Sequence, residues 1–138
     1  MTIGSESVSL ELLSDSVVVF SSGGRWLHPL LELEEFLAGR TFARQGLSLR
    51  DKIVGRAAAL LIVRLCIPEV HAGILSRPGE AVFRERGVRY TFDTLVERIA
   101  CRTEELLSNV VDPEAAHELV VARARAARAT APREGGSP

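Results

Sequence analysis

The chain has 138 residues, of which 46% are hydrophobic and 25% charged, with a formal net charge of -1. That is the size and make-up of one globular domain, and its near-neutral balance provides no global field for drawing in nucleic acid or anionic lipid. The longest apolar run, Ala57 to Val63, ends at Arg64, well short of the roughly 18 residues a membrane span needs. Met1 to Glu11 has acidic residues and no basic stretch, which is unlike a secretory signal. The two cysteines, Cys66 and Cys101, lack metal-ligand spacing, and nothing calls for an oxidising compartment. A cytoplasmic protein with no cofactor is the expectation. Self-association is left open.

Val8, Leu10 and Leu12 alternate with Ser9 and Glu11, as in a strand with one wet face. After the turn residues Ser14-Asp15-Ser16, the run Val17-Val18-Val19-Phe20 reads as its hairpin partner. Ser21-Ser22-Gly23-Gly24 breaks the chain before a helix over 29–38, opened by Pro29, closed by Gly39 and striped inward by Leu30, Leu33 and Leu37. Leu47 and Leu49 signal a short strand over 46–50. The next helix is expected to begin near Lys52 and to be apolar almost all round through Leu65, hence a core helix. Cys66, between Leu65 and Ile67, reads as core packing.

Val70 to Leu75 is a further buried strand, and Ser76 caps a short helix that stops at Gly87. Val88, Tyr90 and Phe92 alternate as the last strand. Thr94 with Glu97 makes a capping box that predicts a helix over 95–109. Asp112-Pro113 starts a final helix ending near Arg128. The order predicts a three-layer α/β/α sandwich, with a mixed sheet and an N-terminal β-hairpin, filling residues 1–128 as one domain. Residues 129–138 read as a disordered tail.

Sixteen arginines and one lysine carry the positive charge. That lysine, Lys52, is a compact ammonium that can approach one atom closely and lose its proton when buried, so it is the first candidate for chemistry. In α/β sheets ligands sit beyond the carboxyl ends of the strands. Two segments are expected there: the loop Gly23-Gly24-Arg25-Trp26-Leu27-His28-Pro29, and the Arg50-Asp51-Lys52 junction.

The motif Asp51-Lys52-Ile53-Val54-Gly55-Arg56-Ala57-Ala58-Ala59, followed by Glu69-Val70-His71-Ala72 and Leu75-Ser76, resembles the bacterial and archaeal family named domain of unknown function 1893. Gly24, Pro29-Leu30-Leu31, Gly87 and Asp112-Pro113-Glu114-Ala115 support the likeness, which spans roughly residues 7 to 122. The resemblance implies a cytidine-deaminase-like fold. The family's Cys-Pro-Met-Glu signature is met in part by Cys101-Arg102-Thr103-Glu104, with a shorter lead-in.

A zinc deaminase needs His or Cys with Glu two residues on at one helix start, and Pro-Cys-x-x-Cys at the next. Here the first start reads His28-Pro29-Leu30 and the second Asp51-Lys52-Ile53-Val54-Gly55. No ligand set survives, so neither a metal nor zinc-dependent deamination is expected. A helix start bearing Lys52, with Gly55 allowing close approach and Asp51 as cap, suits a phosphate or carboxylate. A nucleotide-like anionic ligand held by Asp51, Lys52, Gly55 and Arg56, with Gly24, Trp26 and His28 from the neighbouring loop, is the first expectation. The alternative is an enzyme using Lys52, with Asp51 or Cys101, as nucleophile or acid/base. His71 and His117 read as structural, and the Arg123, Arg125 and Arg128 cluster is a poor nucleic-acid signal without interleaved aromatics.

Overall fold

In a computed structural model, residues 8–130 are described. Residues 1–7 and 131–138 lie outside the described part, and with them most of the tail expected after residue 128. Strands β1 (Leu10–Ser14) and β2 (Val17–Ser22) form the expected hairpin. Asp15 and Ser16 between them have φ of 49° and 72°, the pair of left-handed residues that a tight two-residue hairpin turn demands. β3 (Leu47–Val54) pairs antiparallel with β1 on its free side and parallel with β4 (Glu69–Ser76), which pairs parallel with β5 (Arg89–Val96). The result is a mixed five-stranded sheet in the order β2-β1-β3-β4-β5.

Helix α1 (His28–Ala38) buries Leu30, Leu33 and Leu37, the stripe read from sequence. α2 (Arg56–Arg64) buries Ala57 through Ile62 without interruption, because it has the sheet on one side and other helices on the rest. α3 (Arg77–Arg86) has Ser76 as its cap, with the hydroxyl accepting from the Gly79 N–H at 3.1 Å, and ends at Gly87 in the left-handed region. α4 (Arg102–Leu106) is one short turn. α5 (Pro113–Thr130) is capped by Asp112, whose carboxylate accepts from the Ala115 N–H at 3.2 Å. No described helix is long and apolar enough to cross a membrane.

Among the described residues, the helices that follow β2, β3 and β4 lie on one face of the sheet. Connections β2-α1-β3, β3-α2-β4 and β4-α3-β5 all step the same way across the sheet, and right-handed crossovers stepping one way place their helices on one face. Phe20 of β2 meets Phe36 of α1 at 4.9 Å, and Tyr90 of β5 meets Phe83 of α3 at 5.8 Å. α5 lies outside this tier, where Arg64 binds Glu34 and Glu114 and His117 binds Glu34 at 2.8 Å. Among the described residues the layers therefore run sheet, helix, helix. Across the described residues the other sheet face, with Arg50, Lys52, Thr91 and Asp93, is exposed.

Three expectations are corrected. The helix predicted over 95–109 is strand as far as Val96, since Thr94, Leu95 and Val96 pair with Ile74, Leu75 and Ser76. Non-local pairing has overridden the local capping box. The core helix starts at Arg56 rather than near Lys52, because 47–54 is drawn into one long strand with partners on both sides. Cys66 is exposed, with φ 61°: it serves as the left-handed exit residue of α2 rather than as core.

Candidate functional site

The three parallel strands change phase together near their carboxyl ends. Leu49, Val70 and Ala72 point into the core, yet so do Val54 and Leu75, while Ile53, Ile74 and Phe92 are 53%, 37% and 38% exposed. Strict alternation cannot give both sets. The ladders skip the level of Lys52, Gly73 and Asp93, with Asp51 opposite Ala72 and then Ile53 opposite Ile74. Gly73 is required there: a Cβ would lie 2.7 Å from the Lys52 backbone oxygen. The Asp51 carboxylate accepts hydrogen bonds from the backbone N–H groups of Ile53 and Lys52. Burial nevertheless outweighs these bonds and pushes its pKa up to about 7.

This kink divides the expected site in two. Asp51 and Lys52 line a cleft of about 260 Å³ with Ser9, Glu11, Arg50 and His71, on the side of the sheet that helices leave open. Arg50 reaches Glu11 at 3.5 Å. His71 is held by Thr91 through Nδ1 at 2.7 Å and by Asp93 through Nε2 at 3.2 Å. Its structural role is thus real, but it also borders the cleft, a placement that sequence alone did not reveal.

Gly55 and Trp26 lie elsewhere, at the start of α2. With Ile53, Ile99, Cys101, Thr103 and Glu104 they line a cleft of about 190 Å³. A second cleft of about 370 Å³, lined by Arg56, Pro78, Arg98 and Cys101 among others, shares Ile99, Cys101 and Glu104 with it. Neither has a lining residue in common with the Lys52 cleft. The α2 N-terminus does hold an anion, and the anion is Glu104. Its two carboxylate oxygens accept from the Arg56 N–H at 2.7 Å and the Ala57 N–H at 2.8 Å. Gly55 makes room for it, since a Cβ there would fall 2.5 Å from Glu104 Oε1.

Arg56 lines the larger of these clefts, and its guanidinium donates to the Val110 carbonyl at 2.6 and 3.0 Å. Trp26 Nε1 donates to Thr103 Oγ1 at 3.0 Å, and its ring meets His28 edge-on at 5.1 Å. His28 faces a groove between α1 and α5 instead of either cleft. The Gly24 carbonyl accepts from the Ser9 hydroxyl at 2.9 Å, a structural bond. Cys101 is the half-buried residue that opens α4. Sequence reasoning missed Glu104 as the cap of α2. Its signal was present in the Cys101-to-Glu104 signature, but the partner lies 48 residues away. Among the described residues, no group of three or more His, Cys, Asp or Glu side chains could hold a metal ion.

No curated protein matches the sequence. A crystal structure of a DUF1893 family protein from Thermotoga maritima is similar to this fold with a TM-score of 0.74 and 25% identity, over 87% of this chain and 83% of that one. The family described as Domain of unknown function (DUF1893) matches residues 3–122. With that match spanning most of its length and including the Asp51 kink, Gly55 and Glu104, this chain belongs to the DUF1893 family.

Proposed function

We propose that this domain binds a small anionic ligand of nucleotide-like character in the open-face cleft, and that it does not deaminate. The observation that carries this reading is the meeting of Arg50, Lys52 and His71 around one concavity with Asp51, a carboxyl that is partly neutral near pH 7. Two or three cationic groups on one wall favour phosphate or carboxylate. A protonated Asp51 turns from a repelling charge into a donor. The cleft is small, of a size for a phosphate and sugar rather than for a large cofactor. The family resemblance implies a deaminase-like fold, but the two helix starts read His28-Pro29-Leu30 and Gly55-Arg56-Ala57, without the thiolates zinc chemistry requires.

Native mass spectrometry of the freshly purified chain, followed by calorimetric titration with nucleoside monophosphates at pH 6 and pH 8, tests this reading. Binding should be tighter at pH 6, lost in Lys52→Ala and largely retained in Lys52→Arg. Equal affinity of wild type and Lys52→Ala would refute it. One observation favours a second reading, an enzyme in which Asp51 moves a proton beside Lys52: a carboxyl near 7 is matched to transfer at neutral pH. Imine chemistry would require a neutral amine, so Lys52→Arg would abolish turnover while sparing binding. Cys101 cannot join Lys52 in this scheme, because the two line separate clefts.

A further inference from the structure

The last strand of the sheet has one side paired with β4 and, among the described residues, no strand on the other. We propose that β5 pairs with β5 of a second copy of this chain, antiparallel about a two-fold axis at Thr91, to join two five-stranded sheets into one.

Hydrogen bonding limits the registers. The Arg89 N–H donates to the Pro68 carbonyl, just before β4, at 3.0 Å. Backbone groups of alternate residues point to the same side of a strand. Up to the level that the ladder skips, Arg89 and Thr91 therefore bond inward to β4, while Tyr90 and Phe92 present their N–H and C=O groups to the open edge. An antiparallel partner must pair those outward residues with one another. Near the strand centre, that leaves axes at Thr91 or Phe92.

Side chains choose between them. An axis at Phe92 sets Arg89 opposite Leu95 and Thr91 opposite Asp93, without any charge pair. An axis at Thr91 sets Arg89 opposite Asp93 twice, Tyr90 opposite Phe92 twice, and Thr91 opposite itself. Opposite charges, aromatics and paired threonines are the combinations that stabilise neighbouring strands. Arg89, Thr91 and Asp93 stand on the open face, where His71 touches both Thr91 and Asp93. The intrachain partners do not exhaust them. Arg89 gives one nitrogen to Glu69 at 3.1 Å and Asp93 gives one oxygen to His71 at 3.2 Å, and all four side chains are well exposed. Phe92, 38% exposed at the edge, gains cover from the partner's Tyr90.

The test is a charge swap read by sedimentation equilibrium of the full chain. Wild type should dimerise. Asp93→Arg or Arg89→Asp alone places like charges opposite at two symmetric positions and should weaken the dimer at least about tenfold. Combining Arg89→Asp with Asp93→Arg should bring it back to within about threefold of wild type. As a second readout, Thr91→Cys in a Cys66→Ser background should form an interchain disulfide on mild oxidation, because opposite residues in a non-hydrogen-bonded pair approach to about 4.5 Å between Cα atoms. A wild type that stays monomeric at every concentration, a dimer indifferent to the single charge changes, or a swap as weak as its parents would each overturn the proposal.

Discussion

Replacing Glu104 by Ala removes the carboxylate that bridges the first two N–H groups of α2. Hydrogen bonds to a charged group contribute about 1.5–3 kcal/mol each when fully sheltered, and a lost helix cap alone costs about 0.5–2 kcal/mol. Here the freed N–H groups face a cleft that water can enter, which returns part of the loss. A net destabilisation of about 2 kcal/mol follows, or roughly 6–10 °C in Tm for a domain this size. Glu104→Gln, which retains one acceptor but no charge, should lose about half as much.

The same contact fixes a second substitution. Gly55 has φ -104° and ψ -165°, extended backbone that any residue adopts, so Gly55→Ala introduces no backbone strain. Its new methyl would sit within 2.5–2.8 Å of three Glu104 atoms and must expel the carboxylate. Alone, Gly55→Ala should cost about as much as losing the clamp; in a Glu104→Ala background it should cost under about 0.5 kcal/mol. Urea unfolding of the four proteins measures the coupling, expected at about 1–2 kcal/mol. Acetate should restore Glu104→Ala more than chloride at equal ionic strength, by entering the vacated anion position. Additive losses, or a Glu104→Ala protein within about 0.5 kcal/mol of wild type, would refute the clamp as the reason for Gly55.

Asp51 carries a folded-state pKa of about 7 against 3.8 for the ordinary side chain, so the folded state favours its protonated form. That preference contributes fully below about pH 4 and fades as pH rises through 7; Asp51→Asn should flatten this decline when stability is followed from pH 4 to 8, and an unchanged slope would count against a buried carboxyl. Cys66→Gly should stabilise the chain by up to about 1 kcal/mol in thermal melts, because φ 61° suits glycine, whereas a loss would mean that the thiol makes contacts outweighing the backbone gain.

What could be read in the sequence was what local chemistry decides. Leu30, Leu33 and Leu37 recur at helical spacing, Ser76 and Gly87 bracket α3, and Asp112-Pro113 opens α5; each acts within a turn or two of its own position. Cys66 apart, the failures involve distant partners. Thr94 and Glu97 form a sound capping box, but Thr94 to Val96 gain more from pairing with β4. Lys52 lies in a strand because β1 and β4 flank β3 on both sides. The one-sided helix placement needed the strand order, which no periodicity encodes. Of the site, the Asp51-Lys52 pair and Gly55 stood out in the sequence, yet the kink that sends them to different clefts was not visible, since it depends on Gly73 passing the Lys52 carbonyl across two strands.

That kink also determines how an external anion would have to be recognised. Had α2 begun at Lys52, its dipole and free N–H groups could have served a ligand directly. Instead the helix start is already neutralised from within by Glu104, and a ligand there would have to displace a bidentate, covalently tethered carboxylate. Tethering gives the internal anion a high effective concentration, commonly in the millimolar range or above, so an external phosphate must bind well in its own right before it competes. In the open-face cleft the internal competitor for Arg50 is a looser one, Glu11 at 3.5 Å with the Arg50 side chain 60% exposed. The cleft's charges belong to side chains, and of its two acids, Glu11 and Asp51, burial pushes the pKa of the second up to about 7. Recognition in that cleft would therefore rest on Arg50, Lys52 and His71 and respond to pH, while the Glu104 clamp keeps the start of α2 shut.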